Sequence, residues 1–338
     1  GIGRAIVQGL WSHGGFHIVI ACRSTKQGET TAAEISRTPG SGSLEVFQLD
    51  LTSFESVYTF TATILKRSQP VRVLCNNAGI LRWQGCHLTS AGVEEHLHAN
   101  HLGHFLLVRE LLPLLTMAED SRIIAVGSNI ANYSSINWHN LNTPTGFAAY
   151  GQSKLCNLLH IQCLHSRYNA KHKLKAICID PGEVNTDITR YFPCASFINA
   201  FLKIMPQRHT PSQGAESAVW LATCPSYVAQ GMSGQFVRGR QIVEMGHGGG
   251  ASGFSSLVLG AVYSRKISAD SQGAAAGQRM WAISQDIVDG HVLLHPPHAR
   301  TLFFSFFPPN KSRPSVFVLF VCVCVCLFVS AGWLWRLR

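Results

Sequence analysis

Tyr150 and Lys154 lie one helical turn apart in Tyr150-Gly151-Gln152-Ser153-Lys154, ahead of an apolar series that includes Leu155, Leu158, Leu159, Ile161 and Leu164. An ammonium four residues along a helix from a phenol favours the ionised phenol, so a tyrosine of ordinary pKa about 10 could exchange protons near neutrality. Alone the pair is a weak signal, since any helix can carry one by chance. Its neighbours give it weight.

Asn76-Asn77-Ala78-Gly79 follows the apolar run Val71 to Cys75, and Asn100-His101-Leu102-Gly103-His104-Phe105 falls on a helix predicted over Ala91 to Met117, with Pro113 bending its end. Ser128 closes the strand-like run Ile123 to Val126, and Asp180-Pro181-Gly182-Glu183-Val184-Asn185-Thr186 follows the run Leu174 to Ile179. Each motif ends a predicted parallel strand or lies on the helix after it, which is where open α/β sheets bind ligands. Further strands are predicted at His17 to Cys22, Glu45 to Leu49 and Gly234 to Val237, and helices from after Ala5 to about Ser12, from about Ser53, and over Ala215 to Thr223.

In wording and order these motifs resemble the short-chain dehydrogenase/reductase family, and within it the retinol dehydrogenase-like branch. Residues 100–106, 150–157, 181–186 and the late segment 278–284 carry the likeness, which runs from Gly1 to about Glu244 and resumes over Ser268 to Asp289. The resemblance implies a Rossmann-type doubly wound parallel sheet in a three-layer αβα fold. It also implies an NAD(P)-binding domain over residues 1–290, interrupted by an insertion near 246–267. It further implies pairing of two copies through their long helices.

In that family the first turn reads Thr-Gly-x-x-x-Gly-Ile-Gly after a first strand, so Gly1 and Gly3 match its last two glycines and the first strand is missing. A strand lost from the middle of a 3-2-1-4-5-6 sheet would leave two unpaired inner edges. The expectation is a polypeptide that is aggregated or free of cofactor.

Site roles follow from the resemblance. Tyr150 is the acid/base, Lys154 lowers its pKa and holds the nicotinamide ribose, Ser128 binds the substrate oxygen, and Asn100 organises a water relay behind Lys154. The cofactor set is Gly1, Gly3, Arg23, Asp50, Leu51, Asn77, Ala78, Gly79, Tyr150, Lys154, Pro181, Gly182, Val184 and Thr186. Arg23, with Lys26 near, stands where a cation accommodates a ribose 2′-phosphate, which favours NADP(H) over NAD(H). Asp50 meets the adenine ring or serves as an N-cap-like residue. Gly127, where the family often has serine, and Glu183, a carboxylate in the cofactor turn, depart from the pattern.

Composition limits the rest. The chain has 338 residues, 46% of them apolar, enough for one α/β domain of about 250 residues. Its net charge of +10 is scattered without an aromatic-laced stripe, which suits an anionic cofactor or a membrane surface and gives no reason to expect nucleic acid. Its 11 cysteines form no C-x-x-C pair and its 16 histidines no helical His-x-x-x-His beside a carboxylate, so no metal site is expected. Cysteines inside apolar runs, such as Cys22, Cys75 and Cys178, suit a reducing, cytosolic face, and the family resemblance adds the expectation of association with the endoplasmic reticulum membrane.

The segment 129–147 is expected to wall the substrate pocket; the apolar stretch Tyr191 to Pro206 reads as core from its helical stripe, while the resemblance implies that it lids the substrate site, pointing to a small apolar alcohol or carbonyl substrate of retinoid, steroid or lipid type. Residues 291–338 form an atypical apolar tail. Val316 to Trp335 is charge-free and flanked by basic residues, as a membrane span requires, yet the Val-Cys alternation of residues 321–326 is also what a GTGTGT repeat encodes. Both readings of the tail stand at this point. The alternative to an active oxidoreductase is a non-catalytic or nonfunctional truncated member of the same fold.

Overall fold

Apolar runs rich in Val and Ile form the strands that carry the site, because a strand covered on both faces needs no polar alternation. The computed structural model describes residues 1–189, 191–192, 208–243, 274–292, 294 and 323–327. Its strands are β1 (Phe16–Cys22), β2 (Gly42–Gln48), β3 (Val73–Asn76), β4 (Arg122–Val126), β5 (Lys175–Asp180), β6 (Phe236–Arg238), β7 (Gln241–Ile242) and β8 (Val323–Leu327). They build one eight-stranded sheet of order β2-β1-β8-β3-β4-β5-β6-β7. β1 with β2 and the series β3 to β6 pair in parallel, while β7 returns antiparallel on β6.

The helices are α1 (Ile2–His13), α2 (Thr25–Ser36), α3 (Phe54–Lys66), α4 (Glu95–Leu97), α5 (Gly103–Met117), α6 (Gly146–His172), α7 (Pro211–Thr223), α8 (Ser226–Gly231) and α9 (Ala274–Val288). α1 packs on α7, α3 on α5, and α9 on α6, giving the three-layer αβα arrangement. The core is continuous through the sheet, with Ile18, Val19, Leu74, Ile123, Ile124, Ile177 and Ile179 fully buried. Local signals set the starts: Ser24, Ser53 and Thr210 each accept a backbone N–H at the head of α2, α3 and α7.

Three expectations change. The helix predicted over Ala91 to Met117 is broken: α4 starts at Glu95, a π-turn spans His98–Leu102, and α5 begins only at Gly103. The capping role considered for Asp50 belongs to Ser53, whose Oγ accepts from Ser56 N–H; Asp50 instead folds onto Thr52, whose N–H and hydroxyl donate to Oδ1 at 2.9 and 2.6 Å. And β1 and β3 do not show unpaired inner edges. β8 lies between them, antiparallel to both, with Val325 opposite Val19 on one side and Leu74 on the other.

The Val-Cys alternation therefore contributes a strand. Residues 293, 295–322 and 328–338 of the apolar tail, the proposed insertion near 246–267 and residues 193–206 of the expected cover lie outside the described residues. Among the described residues no helix is long and apolar enough to cross a membrane.

Proline cannot donate to a ladder, so Val325→Pro in the middle of β8 should destabilise the fold by about 1–3 kcal/mol per donor lost. A melting curve followed by circular dichroism should shift down by several degrees, and an unchanged curve would place β8 outside the sheet.

Candidate active site

β4 ends at Val126, and the chain passes through Gly127 to Ser128, which heads a short 3-10 turn. A Cβ on Gly127 would stand 2.7 Å from Cys178 Sγ and 3.1 Å from Phe236, so close packing of β4 on β5 and β6 accounts for glycine at this position. α6 then brings Tyr150 and Lys154 across the ends of β4 and β5. Ser128 hydrogen-bonds the Tyr150 phenol, and Lys154 Nζ donates to the Val126 carbonyl at 2.8 Å.

Both groups are buried, at 7% and 3% exposure, and burial governs their titration. It raises the phenol to about 12, with Ser128 opposing and Asp180 adding to the rise. It lowers the lysine to about 8. In the protein alone the phenol is thus a neutral acid, opposite in direction to the depressed pKa expected from spacing. Burial is the largest cause, and Lys154 does not offset it: Nζ lies 5.7 Å from the ring centroid and donates to the Val126 carbonyl instead.

Asn100 sits in the π-turn with its amide fully engaged. Oδ1 accepts from Ile80 N–H at 2.8 Å, while Nδ2 donates to Ile80 O at 3.1 Å and Ser153 Oγ at 3.0 Å. The side chain thereby ties the loop after β3 to α6. Its main-chain carbonyl accepts from His104 Nδ1 at 2.9 Å. Sequence reasoning missed this clamp, because a π-turn leaves no signature in residue periodicity.

The residues expected to hold a cofactor converge on the same edge. A Cβ on Gly1 would be 3.5 Å from Thr186, one on Gly3 2.7 Å from Asn77 Nδ2, and one on Gly79 3.4 Å from Lys154 Nζ and 3.5 Å from Asn100 Oδ1. The start of α1, the loop 77–79 and the turn 181–186 therefore face one another. α1 has no capping side chain and no acidic residue in its first turn, the arrangement that attracts phosphate. Asn76 Oδ1 is buried without a partner among the described residues. These features fit a dinucleotide.

Val184 is buried against Gly214, and the turn is held by His209, whose backbone bonds Glu183 and Asn185 and whose ring bonds the Pro181 carbonyl. The Glu183 carboxylate acts on the half-buried Arg208. Arg23 and Lys26 are exposed beyond β1, and Asp50 and Leu51 follow β2 beside them. Leu51 is buried under α5, its carbonyl 2.5 Å from where a Cβ on Gly103 would stand. This second group is one strand pair removed from Tyr150, where the far end of an extended cofactor would lie.

An apolar wall faces the phenol. Leu81, Ile130 and Tyr150 form a buried cluster against Phe147, Ile188 and Phe192. Trp83, from the loop after β3, meets Phe147 at 5.0 Å and Phe192 at 5.2 Å between ring centres. Gly146 allows this approach: its φ is +54° and a Cβ there would be 2.4 Å from Trp83 O. A cavity of about 290 Å³ opens alongside, lined by residues of the 129–148 segment. It shares Ile130 and Phe147 with the wall but does not reach Ser128 or Tyr150. Among the described residues no His, Cys, Asp and Glu group could hold a metal.

The family model described as short chain dehydrogenase matches residues 1–193. The chain belongs to that family of oxidoreductases. It is 31% identical to human retinol dehydrogenase 14, over 70% of this chain and 74% of that protein. Human retinol dehydrogenase 11 is 32% identical over 66% of this chain and 69% of its own length. A solved Pseudomonas aeruginosa RhlG/NADP active-site complex superposes with a TM-score of 0.53 at 27% identity, covering 70% of this chain and 90% of that one. A Mycobacterium paratuberculosis protein of uncharacterised activity reaches a TM-score of 0.60 at 26% identity, covering 85% and 89%.

Around Asn100, burial lowers His98 and His101 to about 4 and His104 to about 3. These imidazoles stay neutral in the folded chain where an unfolded chain, with histidine near about 6.5, already takes up protons. Stability should therefore fall as pH drops from about 6.5 towards 4. Melting temperatures recorded from pH 7.5 to 4.5 should show the fall, and His104→Gln should flatten it.

Proposed function

We propose that the protein is an NADP(H)-dependent oxidoreductase that interconverts an apolar alcohol and its aldehyde or ketone, with Tyr150 as acid/base. The observation that carries this reading is the buried Tyr150 and Lys154 pair, joined by the half-buried Ser128, at the carboxyl edge of the sheet beneath an apolar wall. A buried phenol bonded to a serine and set against apolar side chains is a proton donor.

Gly1, Gly3, Asn77, Ala78, Gly79, Pro181, Gly182, Val184 and Thr186 would hold the cofactor, whose nicotinamide exchanges a hydride with the substrate carbon. Tyr150 then gives its proton to the carbonyl oxygen in reduction, or takes one from the alcohol in oxidation. Ser128 donates to the same oxygen and stabilises negative charge that grows there. Lys154, lowered to about 8, changes charge near neutrality and can pass a proton towards Tyr150 through a hydroxyl placed between them. Asn100 keeps the loop under the site in place.

Arg23 supports NADP(H). It is exposed at the end of β1 where a 2′-phosphate is read, and a guanidinium pairs with phosphate through charge-assisted bonds. Leu81, Trp83, Phe147 and Phe192 support an apolar substrate, since a polar one would lose hydration against them without compensation.

Tyr150→Phe should cut turnover by about two to four orders of magnitude while leaving NADPH affinity within a factor of about two. Equal turnover in the two proteins would end the assignment. Arg23→Asp should weaken NADPH binding by about tenfold or more relative to NADH, as one charge-assisted contact requires. Fluorescence titration with both cofactors measures this ratio.

A further inference from the structure

Arg82 lies between two residues of the apolar wall, Leu81 and Trp83. Its backbone N–H donates to His96 Nε2 at 2.9 Å, and His96 Nδ1 in turn donates to Glu94 Oε1 at 2.6 Å; both side chains are buried. Its guanidinium grips Glu95 with both Nε and a terminal nitrogen. The same guanidinium lies 4.1 Å from the centre of the Tyr191 ring, and the two backbones bridge in parallel. Arg82 thus joins the loop after β3 to the segment after β5.

The rings beside the substrate position follow directly from these two anchors. Trp83 is the next residue after Arg82, and Phe192 the next after Tyr191. Phe147 is the third ring, fixed in the first turn of α6. Phe147 and Phe192 stand 5.8 Å apart, and Trp83 touches both. Two of the three rings are therefore placed by one cation and its partners.

We infer that Arg82 is a positioning residue for substrate selection: held by Glu95 and laid on Tyr191, it sets Trp83 and Phe192 against Phe147 to accept an alcohol or aldehyde on a flat unsaturated or fused-ring skeleton. This rests on the oxidoreductase reading of the site. Flat skeletons suit it because aromatic faces and edges gain most from a planar partner. Lysine could not replace arginine here, since it lacks both the planar fork for Glu95 and the stacking face for Tyr191.

The test compares 2-naphthaldehyde with propanal as substrates of the full chain. Arg82→Gln and Glu95→Gln should each raise the ratio of their KM values by about tenfold, the loss of roughly one stacked, charge-paired contact, while kcat for 2-naphthaldehyde changes by less than about twofold. Arg82→Lys should fall between wild type and Arg82→Gln. Quenching of tryptophan emission by 2-naphthaldehyde gives a dissociation constant that does not depend on turnover, and it should weaken by the same factor.

Two variants approach the clasp from opposite sides, so poor folding of one leaves the other to decide. An unchanged KM ratio and dissociation constant in a folded variant overturns the proposal, as does a fall in kcat with KM unaltered. Absence of NADPH oxidation in the wild type would instead remove the proposed function, and the quenching titration would still decide the clasp.

Discussion

The hydrogen bond from Lys154 Nζ to the Val126 carbonyl is the contact on which the site depends. It fixes the register of α6 against the end of β4, and Ser128 lies only two residues beyond Val126. One helical turn before Lys154, Tyr150 is thereby brought to Ser128. A buried ammonium with an acceptor at this distance tolerates little sliding, because moving it would leave a charge unpaired in a low-dielectric interior. Asn100 supplies the matching restraint from the other side through Ser153 and Ile80. Helix, strand end and loop are held as one frame.

Much of that frame was legible in the sequence because it depends on local pattern. Val73–Asn76, Arg122–Val126 and Lys175–Asp180 read as strands from their apolar runs, each within a residue or two of its observed bounds. The motifs after them follow from the rule that open α/β sheets place chemistry at their carboxyl edge. The convergence of Gly1 on Thr186 and of Gly79 on Lys154 is the three-dimensional form of an order already visible along the chain.

What was not legible arises from contacts between distant segments. The π-turn at Asn100 is tied by its side chain to Ile80 and Ser153, both distant along the chain, and residue periodicity does not encode it. Trp83 gave no signal as an isolated tryptophan in a loop, and it gains meaning only beside Phe147 and Phe192. The direction of the Tyr150 shift required knowing how deeply the phenol is buried and where Lys154 points. β8 shows the same limit: nothing in the Val-Cys alternation marked a strand, and only the pairing of residues 323–327 with β1 and β3 reveals one.

The lowered pKa of Lys154 also links ligand capture to the proton balance of the solution. Near pH 8 the free protein holds this amine partly uncharged. A hydroxyl or phosphate oxygen brought beside Nζ favours the ammonium, so association draws a proton from the buffer. Affinity for such a molecule must then decline under alkaline conditions, and its heat of binding must vary with the ionisation enthalpy of the buffer chosen.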